Sequence, residues 1–210
     1  MVKLCLKFGA NIEWRDDFGI TALGYAAENG NCQVEKIVDV KNINGFSPLE
    51  LALSNCYVQD SLIFQLISFT NVLQLSNQNS KTGKTPLHIA SENNRQMAID
   101  LLLESGIDTS IKDNEGRIAV HYAVISDNLP METVCKLCQY TLNLNISDAY
   151  GLSPIDYAVI SSKAPIMLLL INYGCKITTK TWELVKTKIE LLALLLDKLM
   201  KDCRYFLSVK

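Results

Sequence analysis

Residues 83–90 read Gly83-Lys84-Thr85-Pro86-Leu87-His88-Ile89-Ala90. Each part of this stretch has a mechanical reason. Glycine lets the chain turn with φ > 0. Threonine caps a helix by accepting backbone N–H bonds. Proline fits the first helical turn, where its missing donor is not needed. Leu87 and Ala90, three residues apart, fall on one helix face. Degenerate copies recur from Gly19 (Gly-Ile-Thr-Ala-Leu-Gly-Tyr-Ala), Gly45 (Gly-Phe-Ser-Pro-Leu-Glu-Leu-Ala), Gly116 (Gly-Arg-Ile-Ala-Val-His-Tyr-Ala) and Gly151 (Gly-Leu-Ser-Pro-Ile-Asp-Tyr-Ala). The glycines are spaced 26, 38, 33 and 35 apart. Self-similarity at such a period is the signature of a repeat architecture.

The five copies resemble the ankyrin repeat, whose regular period is about 33 residues. The resemblance covers residues 1–177. It implies an all-α solenoid of helix–turn–helix units joined by short β-turn hairpins. The units are a half repeat at 1–15 and repeats at about 16–41, 42–79, 80–112, 113–147 and 148–177. The half repeat is the second helix and exit loop of a unit whose first helix is missing. Either the chain begins there naturally or it is a fragment, and apolar surface at that end then needs a partner.

The third repeat is the best copy. Thr85 to Glu92 forms its first helix and Arg95 to Glu104 its second, and Ser105-Gly106-Ile107-Asp108 ends it with the expected glycine. The first repeat is about seven residues short, so its second helix, Gln33 to Val38, should be truncated. The second repeat has about five extra residues, expected between its helices at Asn55 to Asp60. The fourth has about two, at Asp127 to Pro130, with Pro130 opening the second helix.

After Gly174 the motif stops. Trp182, Val185, Ile189, Leu192, Leu196, Leu199, Cys203 and Phe206 alternate at spacings of three and four. The pattern predicts an amphipathic helix of roughly 25 residues in 178–210, with at most one break, that closes the exposed core of the last repeat. Its middle is apolar nearly all round, so a second face is left for a partner or a second copy of the chain.

The chain is 49% hydrophobic and 20% charged, which suits a buried core and excludes wholesale disorder. Net charge is −2, divided into −6 over residues 1–175 and +4 over 176–210. Bulk attraction to nucleic acid is therefore not expected. The longest purely apolar run, Leu191 to Leu196, is too short to span a bilayer. Seven cysteines, an odd number, occur without a secretory signal at the N-terminus. They read as free thiols in a reducing compartment, the cytoplasm or nucleus.

Catalytic chemistry has few candidates. The two histidines, His88 and His121, share one repeat position. The ankyrin resemblance implies that this histidine bonds the capping threonine and the neighbouring loop. His88 should therefore keep that bond with Thr85, and His121, facing Ile118, should lose it. Cys135 and Cys138 have CxxC spacing, but a zinc site needs further ligands, and the pair reads as helix core. No phosphate-binding glycine motif occurs. No catalytic, cofactor-binding or metal-binding residue is assigned. Asp16, Asp113 and Asp148, three before the turn glycine, should bond their own turn backbone.

What remains is a surface. The resemblance implies a non-enzymatic module or adaptor that binds a partner protein through its concave face and hairpin tips. The alternative is the cytoplasmic ankyrin segment of a larger protein, such as an ion channel or a ubiquitin-ligase adaptor. The tips carry Phe18, Ile20, Phe46, Lys84, Glu115, Arg117, Tyr150 and Leu152. Aromatic and arginine side chains dominate interface hot spots, which makes these the candidate contacts.

Overall fold

The computed structural model describes residues 16, 18, 20, 41, 45–188, 193, 194 and 196–198. The half repeat at 1–15 and the Gln33–Val38 helix lie outside the described residues. Ten helices are described: α1 Pro48–Ser54, α2 Asp60–Phe69, α3 Val72–Leu75, α4 Pro86–Glu92, α5 Gln96–Glu104, α6 Ala119–Ile125, α7 Met131–Tyr140, α8 Pro154–Ile160, α9 Ala164–Asn172 and α10 Thr179–Lys186. No strand occurs among the described residues.

The helices form two rows. First helices stack as α1, α4, α6, α8 and α10, and second helices stack as α2, α5, α7 and α9. Each unit touches chiefly its neighbours, the mark of a solenoid. One apolar cluster runs through the stack, with Leu53, Ile63, Leu87, Ile99, Leu102, Leu137, Ile155 and Leu170 fully buried. The i, i+3 faces read from the sequence are therefore the core faces.

Each described first helix starts the same way. The residue before it caps, and the third helical residue folds back onto the cap's N–H. Glu50 accepts from Ser47 N–H at 2.6 Å, His88 from Thr85 N–H at 3.1 Å, His121 from Ile118 N–H at 3.1 Å and Asp156 from Ser153 N–H at 2.9 Å. In α10, Thr181 accepts from Thr178 N–H at 3.2 Å. All five of these polar side chains are buried. They form a ladder that crosses between units: the His88 ring bonds Arg117 O, the His121 ring bonds Leu152 O, and the Thr181 hydroxyl donates to Asp156.

This ladder corrects one expectation. His121 loses only the hydroxyl partner that His88 has in Thr85 Oγ1. It keeps its grip because the bond to the capping N–H needs only backbone, which isoleucine also supplies. The extra length of the second repeat is also spread differently. Two of the five residues enlarge the 55–59 loop, one lengthens α2, and two join the connection that winds into α3. In the fourth repeat the loop 126–130 takes the extra length as expected, with Pro130 as the cap immediately before α7.

The C-terminal segment has a break, as the heptad spacing allowed. α10 ends at Lys186, and Thr187 caps it. Ala193, Leu194 and Leu196 to Lys198 are helical again, and the remainder of the heptad seam lies outside the described residues. Thr181 and Val185 are buried, and Trp182 and Leu184 pack on the core, so α10 covers α8 much as α8 covers α6.

A second recurring brace ties units at the back of the stack. Arg95, ten residues after the cap Thr85, donates to the carbonyls of Leu53, Asn55 and Val58, at and just past the end of α1. Lys163, ten after Ser153, donates to Val124, Ile125 and Ser126 at the end of α6. Lys188, ten after Thr178, donates to the Ile160 carbonyl and the Ser162 hydroxyl at the end of α8. A cation there satisfies helix-end carbonyls and suits the negative end of the dipole.

Candidate functional site

The hairpins are built by their own side chains. Asp16 Oδ1 accepts from Phe18 and Ile20 N–H, Asp113 Oδ1 from Glu115 and Arg117, and Asp148 Oδ1 from Tyr150 and Leu152, all at 2.8–2.9 Å. The turn then closes through a glycine at positive φ. At Gly83 a side chain would stand 2.6 Å from the Asn114 backbone nitrogen, and at Gly116 3.1 Å from that of Ala149. Only glycine combines the φ with so close an approach of the next hairpin.

That approach joins the tips into one edge. Lys41 Nζ donates to Gln78 O, and Gln78 Nε2 to Lys112 O. Asn114 donates to Thr82 O and Lys81 O, Ala149 N–H to Glu115 O, and Lys180 Nζ to Tyr150 O.

The eight candidate residues divide on this edge. Phe18 and Tyr150 are 64% and 65% exposed, and Glu115 is also exposed. Ile20 and Leu152 are half-buried. Phe46 is half-buried and packs against the core cluster, as an inter-unit residue would. Lys84 pairs with Glu92 at 2.7 Å and lies 4.5 Å from the Tyr122 ring centre.

Arg117 is turned into the stack. It pairs with Glu115 at 2.6 Å and Asp148 at 3.4 Å, donates to the Tyr157 hydroxyl at 3.0 Å, and lies over the rings of Tyr122, Tyr150 and Tyr157. Asp148 Oδ2 also accepts from the Tyr157 hydroxyl at 2.6 Å, and Asp113 Oδ2 from that of Tyr122 at 2.5 Å. The structure thus gathers Lys84, Glu115, Arg117 and Tyr150 into one cluster and leaves Phe18, Ile20 and Phe46 outside it.

Sequence reasoning missed Tyr122 and Tyr157. The signal was present: each tyrosine lies nine residues after the turn aspartate that it bonds. Asp16 and Tyr25 repeat the spacing, with Tyr25 outside the described residues. Burial opposes charge on Asp148, yet its donors prevail, and the carboxyl is held below the ordinary carboxylate range.

The remaining reactive groups are absorbed by packing. Burial pushes the Cys138 and Cys175 thiols up to about 12, so neither is a ready nucleophile. Cys135 Sγ lies 2.9 Å from the Tyr173 hydroxyl. No metal-holding group of side chains occurs among the described residues. Among those residues, too, no helix is long and apolar enough to cross a membrane.

The histidine ladder carries a pH dependence. Each Nδ1 must accept the capping N–H, which fixes the neutral ring with its proton on Nε2. Burial lowers both His88 and His121 below the ordinary 6.5. The unfolded chain takes up protons below that value while the folded rings resist, so their stabilisation is present above pH 6.5 and is lost as pH falls below it. Urea midpoints should therefore drop between pH 7.5 and pH 5, and His88→Gln should flatten that drop. A midpoint independent of pH over this range contradicts the assignment.

Stacked helix pairs with hairpins docked edge to edge define a repeat scaffold that presents an extended surface. The family model for ankyrin repeats matches residues 99–181 as three copies, and the single-repeat model matches residues 82–114. Residues 82–181 thus carry ankyrin repeats. The chain is similar to neurogenic locus notch homolog protein 1 of Xenopus laevis, 31% identical over 122 residues, which are 53% of this chain and 5% of that protein. The Homo sapiens protein of the same name is 33% identical over 99 residues, 43% of this chain and 4% of that one. A putative ankyrin repeat protein, FPV031 of Fowlpox virus, is 39% identical over 70 residues, 33% of this chain and 20% of the relative. The chain thus spans only a small part of these relatives. Ankyrin repeats are in general protein–protein interaction modules.

Proposed function

We propose that this chain is a non-enzymatic binding module that engages one partner protein through its hairpin edge and the adjoining concave face. The observation that carries this reading is Tyr150, an aromatic ring 65% exposed at the tip of a rigid, hydrogen-bonded edge. Tyrosine held there offers contact area at low entropic cost. The four described cysteines are free, which suits a reducing compartment, the cytoplasm or nucleus. A second reading, the binding segment of a larger protein, draws support from relatives many times longer than the matched stretch.

Affinity capture with the intact chain identifies the partner, and Tyr150→Ser tests the site. Tyr150 stacks only loosely on Arg117, 6.0 Å from the ring centre. The variant should therefore lose binding about tenfold, about 1.4 kcal/mol, with thermal stability nearly intact. Phe46→Ser is a poor probe because Phe46 packs on the core. Undiminished partner binding by Tyr150→Ser would move the interface off this edge.

A further inference from the structure

We infer that the hairpin edge takes an acidic segment of its partner. The inference rests on the binding role proposed above and names the chemistry of what binds. Lys41, Lys81, Lys84, Lys112, Arg117 and Lys180 lie on the edge, against Asp113, Glu115, Asp148 and the Glu92 that pairs with Lys84, for a net charge of +2. The rest of the described residues between 41 and 188 hold nine acidic and six basic side chains, net −3. The chain's acidity is therefore displaced to the other surfaces, and the edge stands out with the opposite sign.

The acidic groups on the edge are also less available than the basic ones. Asp113 and Asp148 are buried and turned onto their own hairpins and the tyrosines. Lys81, Lys112 and Lys180 are exposed. The hairpin bonds fix their spacing, since Lys81 and Lys112 both offer carbonyls to neighbouring tips and Lys180 bridges to Tyr150 O. A partner approaching this edge meets positive potential first, which speeds encounter and rejects basic surfaces.

A polypeptide fits better than a nucleic acid. Glu115 is exposed in the middle of the row and would oppose a continuous line of phosphates. A peptide can set a neutral residue there and an apolar one against Tyr150. A net charge of +2 is also small for a surface that relies on counterion release.

The test uses the full chain and a fluorescein-labelled synthetic peptide of about a dozen residues in which Glu and Asp are interspersed with Leu. Its counterpart carries Lys in place of the acids. Fluorescence anisotropy should show binding of the acidic peptide and none of the basic one. Affinity should fall about tenfold between about 50 and about 300 mM salt. Lys112→Glu should weaken binding about fivefold. Lys186→Glu, an equal charge change on the exposed side of α10, should leave it unaltered. Equal binding of both peptides, or equal effects of the two variants, would overturn the inference. So would competition by a duplex DNA at the same charge concentration, which would mark a general polyanion surface. If the captured partner still depends on Tyr150 while the acidic peptide does not bind, the binding role stands and the acidic chemistry falls. If Tyr150→Ser leaves partner binding intact, the edge itself is lost as the interface.

Discussion

Leu102→Ala should lower the unfolding free energy by about 2–5 kcal/mol, as large-to-small changes in packed cores do. Leu102 is fully buried in α5, which packs against α2, α4 and α7. Its cavity would sit where two rows and three units meet, leaving little freedom to collapse. Leu101, one residue earlier and only half-buried, supplies the comparison, and its truncation should cost well under half as much. Urea denaturation at pH 7.5 reads both. If Leu102→Ala keeps the midpoint of the parent chain, the helix register argued for the third repeat is wrong.

Asp148→Ala should cost about 3 kcal/mol, because buried donors would lose their shared acceptor. Two backbone N–H groups, the Tyr157 hydroxyl and the Arg117 guanidinium all converge on this carboxylate. Arg117 would keep only Glu115 and the tyrosine contacts. Asp148→Asn retains an oxygen for the two turn amides but removes the charge, and about half the loss should return. Urea denaturation reads both variants, and a loss of about 1 kcal/mol or less for Asp148→Ala would show that the tyrosine and arginine contacts contribute nothing.

What the sequence disclosed was local. Gly83, Thr85, Pro86 and Leu87 each state a backbone or packing requirement within four residues of themselves, and the fold repeats those requirements. The turn aspartates were legible for the same reason. Arg117 and Phe46 were harder to read. Both flank a turn glycine and look exposed, yet the next unit's Asp148 and the core draw them inward. Their environment is set by residues about thirty positions away, which no local rule supplies. His121 was misjudged because the missing hydroxyl of Ile118 was weighed and the remaining backbone donor was not. In the C-terminal segment, heptad spacing is compatible with a break but does not place it, and the structure ends α10 at Lys186.

The brace at Arg95, Lys163 and Lys188 bears on how the stack yields to force. At the back, a single side chain ties each of these units to the first helix of the unit before it. At the front, a few hairpin bonds do the same. Tension applied along the stack therefore meets a series of similar, separable latches and not one shared clamp. Such a chain should peel a unit at a time, each step releasing about 33 residues of slack, and recoil by re-seating one cation on the helix end of the unit before it.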